Sequence, residues 1–243
     1  HFARGLPIVV TSAVRLWVQY GVEDFQAIKP QVVADLVDRL MEGVAREMIP
    51  ALEAAAVVRW FTKPTLRAVS DSTDVNAIYD ELRRFPFVRS YGDGLAIHDV
   101  VRDIIDENLS IHDREQHKIL HERAAAYYEK QMALEKGDLA EKLVYEHIYH
   151  RVRADEDTGI KLFRSIAGGL EPYHITNQLR TLLNDINTYP LKLENSRRWR
   201  EYYNARLAVL EGRSVDIETV YNTIGDDENA EPLLRAYALC DLG

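Results

Sequence analysis

From Ile111 to the end of the chain the apolar residues recur at helical spacing, and no stretch alternates convincingly as a strand requires. Helices are expected at about 111–134, 138–153, 155–168, 174–188, 195–211, 214–224 and 229–241, separated by short turns containing Gly, Pro or Asp. A helix with one apolar stripe has to bury it on a neighbour. A series of such helices joined by short turns stacks as antiparallel pairs, which is the architecture of an α-solenoid.

The first half reads differently. Pro7, Ile8, Val9, Ala13, Val14, Leu16 and Trp17 predict a helix with proline in its first turn, stopped by Gly21. Pro30 is expected to open a second helix, in which Val33, Leu36, Val37, Leu40, Met41, Val44 and Met48 repeat at steps of three and four, and Pro50 to end it. Short helical patterns follow at Ala51 to Trp60, Pro64 to Val69 and Asp74 to Arg84, with Thr62 and Thr73 as N-caps of the last two. Phe87 to Tyr91, then Gly92-Asp93-Gly94, then Leu95 to Ile97 spell a β-hairpin, and a helix begins near His98 and runs to about Leu109. Three helices followed by a hairpin is the order of a winged-helix domain. The expected fold class is mainly α: a helical segment over residues 1–49, a winged-helix domain with a small hairpin over 50–110, and an α-solenoid of helix pairs over 111–243.

Charge narrows the partners. The chain carries 30 Lys and Arg against 39 Asp and Glu, a net charge of -9. Residues 1–110 hold 12 basic and 16 acidic side chains and residues 111–243 hold 18 and 23, so no basic tail or acidic block marks a domain. The expected third helix of the winged-helix region sets Asp74, Asp80 and Glu81 against Arg83 and Arg84, and the hairpin offers Arg89 beside Asp93. Little phosphate charge would be neutralised there, and nucleic acid is not an expected partner. The longest apolar stretch, Leu6 to Val18, is broken by Thr11, Ser12 and Arg15, short of the run of about 18 that a bilayer needs. A single cysteine, Cys240, cannot close an intrachain disulfide, and a cytoplasmic setting is expected, with no membrane partner. A chain that opens at His1 and closes at Gly243 within a helical array is expected to be part of something longer.

Catalytic signatures are missing from the sequence. A phosphate-binding loop needs a glycine-rich turn, a Lys and a Ser or Thr before a helix, and the chain has no such run, nor GxGxxG, HExxH, paired CxxC or GxSxG. No enzymatic activity is expected of this chain alone. His117 and His121 stand at i, i+4, and His147 and His150 at i, i+3, so each pair lies on one helical face. Lys118 occupies the position where a zinc-protease motif has glutamate, and no third ligand is evident from spacing, so no metal site is expected. Surface or boundary histidines of a helical bundle account for both pairs, and a solvated face for Glu81, Arg83 and Arg84.

Two tripeptides add a resemblance. Gly5-Leu6-Pro7, within His1-Phe2-Ala3-Arg4-Gly5-Leu6-Pro7, resembles the GLP motif that begins the helical domain after the nucleotide-binding core of signal-transduction ATPases with numerous domains (STAND), in the NB-ARC branch. Ile97-His98-Asp99 resembles the MHD motif at the end of the same family's winged-helix domain, with Ile in place of Met. Glu146, Tyr149, His150 and Arg151 are similar to the first solenoid helices of bacterial members, and Ala205, Leu207, Leu210, Gly212 and Arg213 to the end and turn of a tetratricopeptide repeat. The resemblance implies that Pro7 packs against the adenine side of a bound nucleotide and that His98 reaches the β-phosphate of ADP, with Asp99 capping the next helix and directing that histidine. It implies ADP or ATP bound by the full-length protein, an upstream nucleotide-binding domain, a protein or peptide inducer on the solenoid, and oligomerisation on activation. Walker A, Walker B and sensor elements would lie upstream of His1, so tight nucleotide binding is not expected of this chain by itself. Two rivals remain open: a transcriptional regulator whose winged helix contacts DNA, and a helical-repeat adaptor without nucleotide dependence.

Overall fold

Residues 25–170, 175–213 and 216–242 are described by the structure, a computed structural model, and among them the chain is mainly helical with one small antiparallel sheet. The expected helix that starts at Pro7 and is stopped by Gly21, with Pro7 itself, lies outside the described residues. The elements are α1 (Phe25–Met41), a 3-10 turn (Arg46–Met48), α2 (Ile49–Val57), α3 (Lys63–Ser70), α4 (Val75–Leu82), β1 (Val88–Tyr91), β2 (Gly94–Ile97) and α5 (Asp99–His112). They continue with α6 (Arg114–Met132), α7 (Asp138–Ala154), α8 (Glu156–Leu170), α9 (Thr176–Ile186), α10 (Glu194–Leu210), α11 (Ile217–Asp226) and α12 (Pro232–Leu242). None of these helices is long and apolar enough to cross a membrane. The chain divides into two compact units, His1–Tyr127 and Tyr128–Gly243, the division falling within α6.

Both prolines of the second expected helix act otherwise than expected. Pro30 lies within α1, where it removes the N–H that would otherwise donate to the Gln26 carbonyl. The helix stops at Met41, ahead of Gly43 with its positive φ of 84°, and Pro50 falls in the first turn of α2, where a missing N–H costs nothing. In the first unit α2 is the central element. Ala51, Leu52, Ala54, Ala55, Ala56 and Val57 are all buried, small side chains that let α2 pack against both α3 and α5, while α1 also packs on α5.

Capping sets the next two helices. Thr62 Oγ1 accepts from the Thr65 N–H at the start of α3, and Asp74, rather than the expected Thr73, accepts from Ala77 at the start of α4. The hairpin pairs Tyr91 with Gly94 across Gly92-Asp93; Gly92 takes a φ of 56° at the first central position, the conformation a II′ turn demands. β1 is largely exposed and β2 entirely buried. The reason is that β2 has neighbours on both edges: Leu95 faces Ser90 on β1 and exchanges two backbone bonds with Phe61, of 2.7 and 2.9 Å. Gly94 is required beside that bridge, because a β-carbon there would lie 2.4 Å from the Phe61 carbonyl oxygen.

The second unit is built by neighbour-on-neighbour packing. α7 packs on α8, α9 on α10, α10 on α11 and α11 on α12, with further contacts from α7 to α9 and from α8 to α10. Its core joins Ile148, Phe163, Leu179, Leu183, Trp199, Tyr203, Tyr221 and Leu234. Single residues fix the corners. Asp155 accepts from the Thr158 N–H at 2.8 Å in the one-residue connection between α7 and α8, and Gly159 allows the close crossing, since a β-carbon there would sit 2.3 Å from the Val152 nitrogen. α10 ends in a Schellman motif: Arg213 N–H donates to the Ala208 carbonyl, Gly212 N–H to Val209, and Gly212 has a φ of 63°.

Candidate functional site

His98 stands at the corner where β2 ends and α5 begins, with its side chain exposed. Its backbone is held on both sides: its N–H donates to the Phe87 carbonyl at 2.8 Å, and its own carbonyl accepts from the Arg102 N–H at 3.0 Å. His98 is itself the N-cap residue, and its ring makes no capping bond. Asp99, expected as the cap, is instead the first helical residue, where its carboxylate favours the positive end of the helix and accepts from Arg102 Nη1 at 3.0 Å. It therefore does not orient the His98 ring through a capping bond. Pro7, the other residue implicated by resemblance, is outside the described residues.

A second cluster is buried and was only half legible in the sequence. His117 and His121, one turn apart on α6, both turn Nε2 toward the same atom, Oδ1 of Asp106 on α5, at 3.0 and 3.1 Å. Asp106, His117 and His121 are 6%, 7% and 0% exposed. Their ring centroids are 4.4 Å apart. The corner between the two helices is set by Asp113: its N–H donates to the Leu109 carbonyl, its carbonyl accepts from the His117 N–H, and its Oδ1 accepts from the Gln116 N–H. Asp106 is thus the third group that histidine spacing alone does not supply. The available signal was an aspartate among Ile104, Ile105 and Leu109 on the buried side of α5, a position where a charge has to have a partner.

The other histidine pair is buried as well, His147 at 5% and His150 at 0% exposure, instead of lying at the surface. His150, fully buried, stacks on Tyr128 with centroids 5.4 Å apart and planes at 13°, and meets Tyr149 edge-on. Among the described residues neither His147 nor His150 joins a cluster of metal-ligating side chains.

On the second unit an open cleft of about 680 Å³ is lined by Arg164, Tyr202, Tyr203, Glu231, Tyr237 and Asp241, among others. Arg164 lies 3.6 Å over the Trp199 ring and donates to both oxygens of Glu231 at 3.0 and 2.9 Å, while Trp199 Nε1 donates to the same carboxylate at 2.7 Å. Tyr202 donates to Asp241 at 2.8 Å and Tyr203 to the Arg164 carbonyl at 3.2 Å. The wall is aromatic and polar with its charges cross-paired, a surface suited to a polypeptide segment more than to a small apolar ligand. None of these aromatic residues was singled out from the sequence, because tyrosines at helical spacing read equally as core.

A comparison of the chain with known protein families, with curated proteins and with solved structures finds no match.

Proposed function

We propose that this chain is the regulatory and sensor part of a nucleotide-switched ATPase of the STAND class, holding the ADP state through a winged-helix domain and receiving a protein or peptide inducer on a solenoid. The observation that carries the reading is His98, an exposed imidazole on a rigid corner immediately after the hairpin. A protonated histidine there would make a charge-assisted bond to a diphosphate, and a ligand that binds two arrangements with different affinity shifts the balance between them.

Element order supports the winged-helix assignment. α2, the Phe61 bridge, α3, α4 and the β1–β2 hairpin follow one another as such a domain requires, with Phe61 in the position of its first short strand. The helix-upon-next-helix packing of α7 to α12 supports the solenoid, and the Arg164–Tyr202–Tyr237 cleft is a surface for the inducer. A DNA-binding reading finds less support, because Arg84 beside α4 is engaged with Glu81 at 2.6 Å and α4 with its cap carries Asp74, Asp80 and Glu81.

The test is made in the full-length protein encoded by the native reading frame. It should purify with ADP, and His98→Ala should lower the retained ADP and raise basal activity and oligomerisation. A parent without bound nucleotide, or a His98→Ala protein as quiescent and as ADP-loaded as its parent, would sink the assignment.

A further inference from the structure

We propose that Asp106, His117 and His121 form a binding site for one divalent transition-metal ion, with zinc the best fit, that fastens α5 to α6. The site lies apart from His98 in sequence and needs no part of the nucleotide-switch reading.

Donor geometry is the first argument. The two Nε2 atoms lie 3.0 and 3.1 Å from one carboxylate oxygen. In a tetrahedral zinc site with bonds of about 2.0–2.2 Å, the ligand atoms are about 3.4 Å apart. Each of the two histidine–aspartate donor distances needs to lengthen by only a few tenths of an ångström to match that spacing, and the three donor atoms already lie within 4.8 Å of one another. The i, i+4 spacing on α6 already aims both imidazoles at one point, and the third ligand comes from the preceding helix across the corner that Asp113 holds. That is preorganisation: the backbone positions of all three donors are set by helix geometry before any ion arrives.

Charge is the second argument. A carboxylate with two imidazoles, all less than a tenth exposed, is a group for which positive charge at the centre is worth most, since the surrounding protein screens poorly. A divalent ion supplies it at neutral pH. On binding, the Nε2 lone pairs and Oδ1 become ligands, each imidazole carries its proton on Nδ1, and the two Nε2–H···Oδ1 contacts are replaced by bonds to the ion. Two nitrogens and one oxygen suit zinc, cobalt or ferrous iron better than magnesium or calcium, which take oxygen ligands. A water molecule can complete the tetrahedral set.

The experiment uses the whole chain, stripped with a chelator and titrated with cobalt(II). One equivalent should produce the visible bands of a tetrahedral site, zinc should abolish them, and the melting midpoint should rise with zinc concentration. Because the chain has eight histidines, the site is assigned with His117→Gln and, separately, Asp106→Asn, each of which should lose the bands while keeping the parent's circular dichroism. Should either variant fail to fold, ring-proton NMR of the parent decides: zinc should shift the signals of two buried histidines together at one equivalent. Absence of cobalt bands and of a zinc-dependent melt in the parent would overturn the proposal and leave a hydrogen-bonded Asp-His-His cluster. Bands that persist in both folded variants would overturn it equally, placing the cobalt on surface histidines.

Discussion

Glu53, on α2, shows how a single side chain can be held against its preference. Burial pushes its carboxyl above the ordinary value of 4.5, and the nearby negative charge of Asp113 pushes it the same way. The folded chain then binds more protons than the unfolded one between 4.5 and the raised value, so stability falls as pH rises through that window. Glu53→Gln, which removes the charge and keeps the shape, should raise the urea midpoint at neutral pH. The gain should shrink to nothing as the pH is taken below 4.5, where Glu53 is protonated in both states. A gain independent of pH would mean that packing, and not charge, is responsible. At this scale the sequence was a partial guide. Thr62 caps α3 as its pattern predicts, whereas at α4 two adjacent residues could cap and the chain direction selected Asp74 over Thr73. At α5 the helix starts one residue earlier than a cap at Asp99 would require.

Between elements, Glu231 has an unusual load. It joins the turn before α12 to α8 and α10 by accepting from Arg164 and from Trp199, and its own N–H donates to Asn195 Oδ1 at 3.1 Å. Removing the carboxylate strands a cation that is 14% exposed and a buried indole N–H. Fully buried pairs cost about 3–5 kcal/mol when one partner is removed. Glu231 is itself 34% exposed, and water can reach part of the space it leaves. Glu231→Ala should therefore cost about 2 kcal/mol in urea unfolding followed by tryptophan fluorescence, the range for a stranded charged hydrogen bond, and Glu231→Gln less, since it keeps one acceptor. Most helices of the second unit were legible in advance, because an apolar stripe at 3.6 residues per turn is a local property. Pro30 and Pro50 misled because a proline breaks a helix or opens one according to what precedes it, and Gly43 decides where α1 stops.

For the chain as a whole, the net charge of -9 sets a long-range field that opposes any polyanion. Within the first unit several cations are engaged by carboxylates: Arg84 is paired with Glu81, Arg102 with Asp99 and Asp103, and Arg123 with Asp71. A fluorescent DNA duplex should show no change in anisotropy with micromolar protein at physiological salt. A salt-dependent rise would instead place residues 50–110 among DNA readers.

The periodicity of the apolar residues and the glycines at 92 and 94 determined by themselves that the described residues are mainly helical with one hairpin. These are short-range properties, carried by residues within a few positions of one another. The meeting of Asp106 with His117 and His121, the seating of β2 between β1 and Phe61, and the arginine–tryptophan–glutamate junction beneath the cleft are different. Each joins residues 11 to 67 positions apart, and which partners meet depends on how helices are oriented by their corners. Only the tertiary structure could decide that, because the same side chains at the same spacing have no chemistry until a second helix brings the remaining group to them.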